Sequence, residues 1–122
     1  TSFSDRRRRT ALAAARAAGG EIRPATSPGS ATVARLLAAR AARLVPVVRR
    51  LLRDVDALQL PERQGAVRVV TRGLVDAAHA AGVEVHVWTV NDATAMTRLL
   101  DLGVDGIVTD RADLALELVN GR

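Results

Sequence analysis

The side chains able to do chemistry here are few, and most have a plainer use. Trp88 closes the run VEVHVW, and it and Phe3 are the only aromatic residues of the chain. Neither is a catalyst by type. Each is a large apolar surface suited to walling a pocket, where excluding water strengthens the electrostatics beside it. Asp5, Asp92 and Asp110 stand just ahead of helical patterns, where a short acid accepts the first free N–H groups. Asp76 and Asp101 fall on polar helix faces, while Glu84 and Asp105 sit where strands begin. No pair of these carboxylates has the spacing of a metal site, so no metal ligand and no catalytic residue is assigned. His79 lies within a helix among alanines, and His86 lies two residues before Trp88. A strand histidine with no base or second ligand near it in sequence reads as a hydrogen-bonded core group or a support beneath a pocket. No GxGxxG, P-loop, HExxH or GxSxG pattern occurs. The absence of Cys removes thiol nucleophiles and disulfides.

The elements that must position these residues alternate. Thr1-Ser2-Phe3 reads as the end of a strand. Asp5 to Ala18 is an Arg/Ala helix capped by Ser4 or Asp5 and stopped by Gly19-Gly20. Glu21 to Thr26 is a short candidate strand, and Thr26 to Ser30 is a loop. Thr32 to Arg53 has a helical period that Pro46 must break near Val45. Val55 to Leu60 is a strand, and Glu62 to Val70 a longer connection with some extended character. A helix follows from Thr71 to Ala81, then a strand from Val83 to Val90. The helix Asp92 to Leu102, the strand Gly106 to Thr109 and a helix from Ala112 to about Val119 complete the chain, the last with an Asp110/Asp113 capping-box arrangement.

Strand and helix in strict alternation mean an α/β fold with a parallel sheet and crossover helices. The chain carries about five strands of an eight-stranded (β/α) barrel, whose full length is about 250 residues. Residues 1–122 are therefore expected to form one portion of a single partial TIM-barrel domain, and the family resemblance given below implies that the portion is the last five strands and their helices. In such a barrel, reactive groups gather at the C-terminal strand ends. That places Ser2, Phe3, Gln59, Leu60, Trp88, Asn91 and Asp110 on the functional side. Glu84, His86 and Trp88 share one face of their strand, and Val85 and Val87 the other.

Hydrophobic residues make up 48% of the chain, enough for a core built from Ala, Val and Leu. All 18 basic residues are Arg and the net charge is +5, but the arginines are spread over helix faces rather than gathered in a stripe. That distribution reads as solvated surface and not as a nucleic-acid site. The one cluster, Arg6 to Arg9, opens a helix where cations oppose the macrodipole, and it is expected to be exposed. No apolar stretch is long enough to span a membrane and none reads as a secretory signal, so the compartment is left open, with the cytoplasm the expectation.

Several of these stretches recur together in a known family. Ser2-Phe3, Val55 to Leu60, LVDAAHAAG at Leu74 to Gly82, the tetrad Trp88-Thr89-Val90-Asn91 and GVDGIVTD at Gly103 to Asp110 resemble the glycerophosphodiester phosphodiesterase family. The resemblance implies metal-assisted hydrolysis of glycerophosphodiesters to an alcohol and glycerol 3-phosphate, a step of lipid metabolism. It implies a divalent cation, Ca or Mg, in the full-length enzyme. The family's histidine-arginine-glycine strand, acidic metal strand, histidine-aspartate pair and glutamate-x-lysine strand do not occur in this chain. What carries over is pocket lining by Trp88, Phe3 and Gln59, with a small glycerophosphodiester as partner. The chain alone is then expected to be inactive, to read as a piece of a longer protein, and to self-associate through open sheet edges. The competing reading is a non-catalytic βα module, or a degenerate barrel acting as an interaction unit.

Overall fold

The computed structural model describes residues 4–19 and 24–121. Helix α1 spans Asp5–Ala17, α2 Ser30–Ala41 and α3 Val45–Leu52. Strand β1 follows at Ala57–Pro61, a short hairpin β2 Arg63–Gln64 and β3 Val67–Arg68, then α4 Arg72–His79 and β4 Glu84–Trp88. Helix α5 spans Ala93–Asp101, β5 Gly106–Ile107 and α6 Ala112–Asn120. Strands β1, β4 and β5 form a parallel sheet in the order β1-β4-β5. The α/β class with a parallel sheet is as the alternation requires.

Strand extents differ from expectation. The described sheet holds three strands, and those expected at 83–90 and 106–109 are shorter. The connection over 62–70 is an antiparallel hairpin. The strand end expected at Thr1-Ser2-Phe3 lies outside the described residues, as does most of the strand expected at Glu21 to Thr26. Residues 24–26 are described and form no strand. They nevertheless lie along β1: Asp56 N–H and Ala57 N–H donate to Thr26 O at 2.9 and 3.2 Å, and Gln59 N–H donates to Ser27 Oγ at 3.2 Å. This segment therefore covers part of the β1 edge, on the side where the strand at Glu21 to Thr26 was expected. Pro24 fits the irregularity, since it cannot donate to a ladder.

The period of two in the strands divides the sheet into two faces. Leu58, Leu60, Val85 and Val87 are buried almost completely. They pack with Leu36 of α2, Leu52 of α3, Leu74, Val75 and Ala78 of α4, and Met96 and Leu99 of α5. The spacing of the α4 and α5 residues is the apolar stripe of an amphipathic helix. On the opposite face Gln59, Pro61, His86 and Trp88 are only partly covered, and Glu84 is exposed.

Helix α2 ends as a Schellman motif: Leu44 N–H donates to Ala39 O at 2.8 Å and Arg43 N–H to Arg40 O at 3.0 Å. Arg43 takes the left-handed conformation this needs, with φ of 56°. Pro46 then begins α3 where its missing N–H costs nothing, so the expected break near Val45 is present. Helix α1 buries no residue and is held by polar contacts. Ser4 caps it, while Asp5 reaches across to accept from Gly29 N–H at 2.9 Å and from Thr32 Oγ1 at 2.9 Å. The Arg6 to Arg9 run is not uniformly exposed. Arg8 turns inward and donates to Thr26 Oγ1 and Asp54 O, both at 3.2 Å.

Leu58→Ala should remove about 2–5 kcal/mol of stability in chemical denaturation, because it leaves a cavity under the helices. Val67→Ala, on the exposed hairpin, should cost about 0.5 kcal/mol or less. Equal losses for the two variants would contradict the packing of Leu58 beneath the helices.

Candidate functional site

Among the described residues, the C-terminal ends of the parallel strands and the loops just beyond them carry Gln59, Leu60, Trp88, Asn91 and Asp110. Parallel pairing sets Gln59 beside His86 and Pro61 beside Trp88. One step beyond, a cavity of about 280 Å³ is lined by Trp88, Gln59, Leu60 and Pro61 with Val33 and Leu37 of α2. Trp88 and Gln59 are thus brought together in one concavity, as their parity on neighbouring strands predicts. Phe3 lies outside the described residues.

The same cavity takes in Gln64, which the sequence reading did not name. Gln64 reaches it because the hairpin stands at the end of β1. Glu62 O accepts from Val69 N–H and Val70 N–H at 3.0 and 3.3 Å, and the Glu62 carboxylate pairs with Arg98 of α5 at 2.5 Å. A signal for this existed in the turn Gln64-Gly65-Ala66, where Gly65 has a φ of 59°.

Asn91 and Asp110 meet at the same end of the sheet. Asn91 Nδ2 donates to Asp110 Oδ2 at 3.0 Å, while Asp110 N–H and Thr109 Oγ1 donate to Asn91 Oδ1 at 2.9 and 3.0 Å. This cluster ties the loop after β4 to the loop after β5, and so fixes the backbone just beyond Trp88. Asp110 was expected to cap the last helix; that position belongs to Arg111, and no side chain caps it. Asp113 was expected to complete a capping box and instead takes both arms of the Arg111 guanidinium, at 3.0 and 2.7 Å. Asp92 does cap α5, accepting from Ala95 N–H at 2.7 Å.

The histidines have partners that the sequence did not reveal. His86 is half-buried, and its Nε2 lies 3.0 Å from Glu84 Oε2. Its ring covers Gly106, where an added Cβ would lie 2.9 Å from His86 Cδ2. Glu84 precedes His86 on the strand, so this pair lies on the side of His86 away from the mouth. His79 is the last residue of α4, and its Nε2 lies 2.8 Å from Asp105 Oδ2, which also accepts from Val85 N–H at 2.8 Å. Among the described residues no three His, Cys, Asp or Glu converge as a metal site. These side chains on their own therefore do not fit a divalent cation.

Burial pushes the Asp105 carboxyl upward in pKa, but the hydrogen bonds from His79 and Val85 N–H outweigh it and hold the group below the usual carboxylate range. A depressed carboxylate stabilises the fold above its unfolded pKa, and that stabilisation is lost as pH falls through the folded value. Asp105→Asn should therefore lower Tm at neutral pH, with the gap to the unaltered chain closing below about pH 4. A gap that stays constant through that window would show that the Asp105 charge is not what holds Val85.

The family model and a curated relative agree with the resemblance seen in the motifs. The family model described as "Glycerophosphoryl diester phosphodiesterase family" matches residues 20–114. A protein of Mycobacterium tuberculosis named "Probable glycerophosphodiester phosphodiesterase 2" is 44% identical over 121 residues, covering 99% of this chain and 44% of that protein. A crystal structure from Silicibacter pomeroyi, solved under the name "Putative glycerophosphoryl diester phosphodiesterase", aligns over 86% of this chain and 53% of its own, with 22% identity and a TM-score of 0.44. The chain thus spans less than half the length of its mycobacterial relative. With residues 20–114 of 122 matched by the family model, the chain belongs to the glycerophosphoryl diester phosphodiesterase family.

Proposed function

We propose that this chain is the C-terminal part of a TIM-barrel glycerophosphodiester phosphodiesterase, and that it supplies one wall of the substrate pocket. The observation that carries this reading is the meeting of Trp88 and Gln59 in one cavity at the C-terminal ends of parallel strands. That is where the reactive end of a barrel lies. The partly covered face bearing Gln59, His86 and Trp88 becomes the barrel lumen when further strands close it.

In the complete enzyme, hydrolysis of a glycerophosphodiester yields an alcohol and glycerol 3-phosphate. The general acid, the general base and the ligands for a divalent cation, Ca or Mg, lie in the remainder of the barrel. The part played by this chain is to bind and to exclude water. Trp88 offers an apolar surface to the glycerol or alcohol moiety, and Phe3 is assigned to the same lining. The Gln59 amide, which can both donate and accept, suits the hydroxyls of the glycerol. Keeping water from that wall strengthens the field acting on the phosphoryl group. The isolated chain leaves Val108, Leu116 and Val119 exposed near the β5 end of the sheet. Apolar residues beside an uncovered strand favour self-association of the piece alone.

The test uses the whole natural polypeptide that contains this chain. With Ca or Mg it should release glycerol 3-phosphate from glycerophosphodiesters, and the 122-residue chain alone should release none. Trp88→Ala in the whole polypeptide should lower kcat/KM by about 1–3 kcal/mol in transition-state terms. If the variant instead loses about 3–5 kcal/mol of stability with kcat/KM intact in its folded fraction, Trp88 is core and the pocket assignment is wrong. Turnover by the isolated chain would overturn the division of labour.

A further inference from the structure

The solvent face of α3 has no part in the pocket, and its chemistry is distinct. Leu44, Val45, Pro46 and Val47 are four consecutive exposed apolar residues, with Val45 56% and Leu44 48% accessible. Such a run is a defect in a solvated surface unless something covers it. The other exposed large apolar residues, Val67, Val108, Leu116 and Val119, are single positions on the hairpin and in the β5–α6 region. The α3 run lies elsewhere, on the element between α2 and α4, so it is separate from the β5 end of the sheet.

Arginines frame this run. Arg43 precedes it, and Arg49, Arg50 and Arg53 follow, all exposed. Among the described residues none of these four is in an ion pair, whereas Arg72, Arg98 and Arg111 each have a carboxylate partner. Arg43 also occupies a left-handed helix terminus. Just beyond α1, α4 and α5 the equivalent conformation is taken by Gly19, Gly82 and Gly103, the residue type that adopts it without steric cost. Between α3 and α4 lies a groove of about 300 Å³ with Val48, Ala77 and Ala80 in its lining and Arg43 and Arg49 beside them. Its one carboxylate, Asp76, is 3.8 Å from Arg72.

We propose that this face of α3 docks on an anionic lipid bilayer. Unpaired guanidinium groups meet the phosphates of the surface, and Leu44, Val45 and Val47 enter the boundary between headgroups and acyl chains. The apolar run decides between this partner and a nucleic acid. A polyanion in water gives those side chains nothing to be buried in, and the patch has no aromatic ring on which a base could stack. No helix among the described residues is long and apolar enough to cross a membrane, so the contact is with the surface alone.

Vesicle flotation of the whole natural polypeptide tests this, with circular dichroism confirming that each variant is folded. Binding is expected to phosphatidylcholine vesicles containing about 30% phosphatidylglycerol, and not to pure phosphatidylcholine, and it should weaken as salt rises. The double variant Arg49→Ala/Arg50→Ala should cut partitioning about 25-fold, at about five-fold per arginine. Leu44→Ser/Val45→Ser, which leaves the charge unchanged, should cut it by about ten-fold or more. Absence of binding, equal binding to both vesicle types, or binding unaltered by the serine pair would each overturn the proposal. So would tight binding to duplex RNA without any binding to vesicles, which would make the patch a nucleic-acid site.

Discussion

The five-residue register between β1 and β4 governs the rest of the molecule. It sets Leu58 beside Val85 and Leu60 beside Val87 on one face, and Gln59 beside His86 and Pro61 beside Trp88 on the other. A slip of either strand by one residue would turn both of its buried side chains away from the helices. The register is thus held by the packing of Leu and Val under α2, α4 and α5. Trp88 and Gln59 are placed at one cavity as a consequence. The core thereby positions the pocket.

Carboxylates complete this arrangement as tethers. Asp56 accepts from Thr26 N–H at 2.7 Å and brings residues 24–29 to β1. Asp105 holds Val85 N–H at the opposite end of β4 from Trp88, and Asp5 holds the start of α2 to α1 through Gly29 and Thr32. A carboxylate that accepts backbone N–H groups is stabilised in its charged form and has little left to offer a substrate or a cation. Three of the acids in this chain are spent on backbone in this way, in keeping with their lack of convergence on the pocket.

Much of this was legible in the sequence. The alternation of apolar residues in VEVHVW and the helical spacing of Leu74, Val75 and Ala78 gave the parallel α/β class and both faces of β4. Pro46 marked the break between α2 and α3. The hairpin at Arg63 to Arg68 shows in the sequence only as an extended connection, because it is short and polar and its strands bury nothing. The roles of Asp5, Asp105 and Asp110 were not legible for a different reason. Each reaches a partner 18 or more residues away, and local spacing favours a cap for any Asp just ahead of a helix. The same holds for the cavity, where Trp88 and Gln59 could be inferred from strand parity, while Gln64 arrives through the fold of the hairpin. His86 with Glu84 was within reach, since residues two apart on a strand share a face.

The central claim is that Trp88 lines the substrate pocket of the complete enzyme, and Trp88 is the only indole in this chain. The most direct measurement is its fluorescence in the whole natural polypeptide during titration with glycerol 3-phosphate, against the Trp88→Phe variant as background. A pocket-lining Trp88 gives a saturable change in the difference signal. A flat difference signal, in a preparation that hydrolyses glycerophosphodiesters and is inhibited by the same compound, would contradict it.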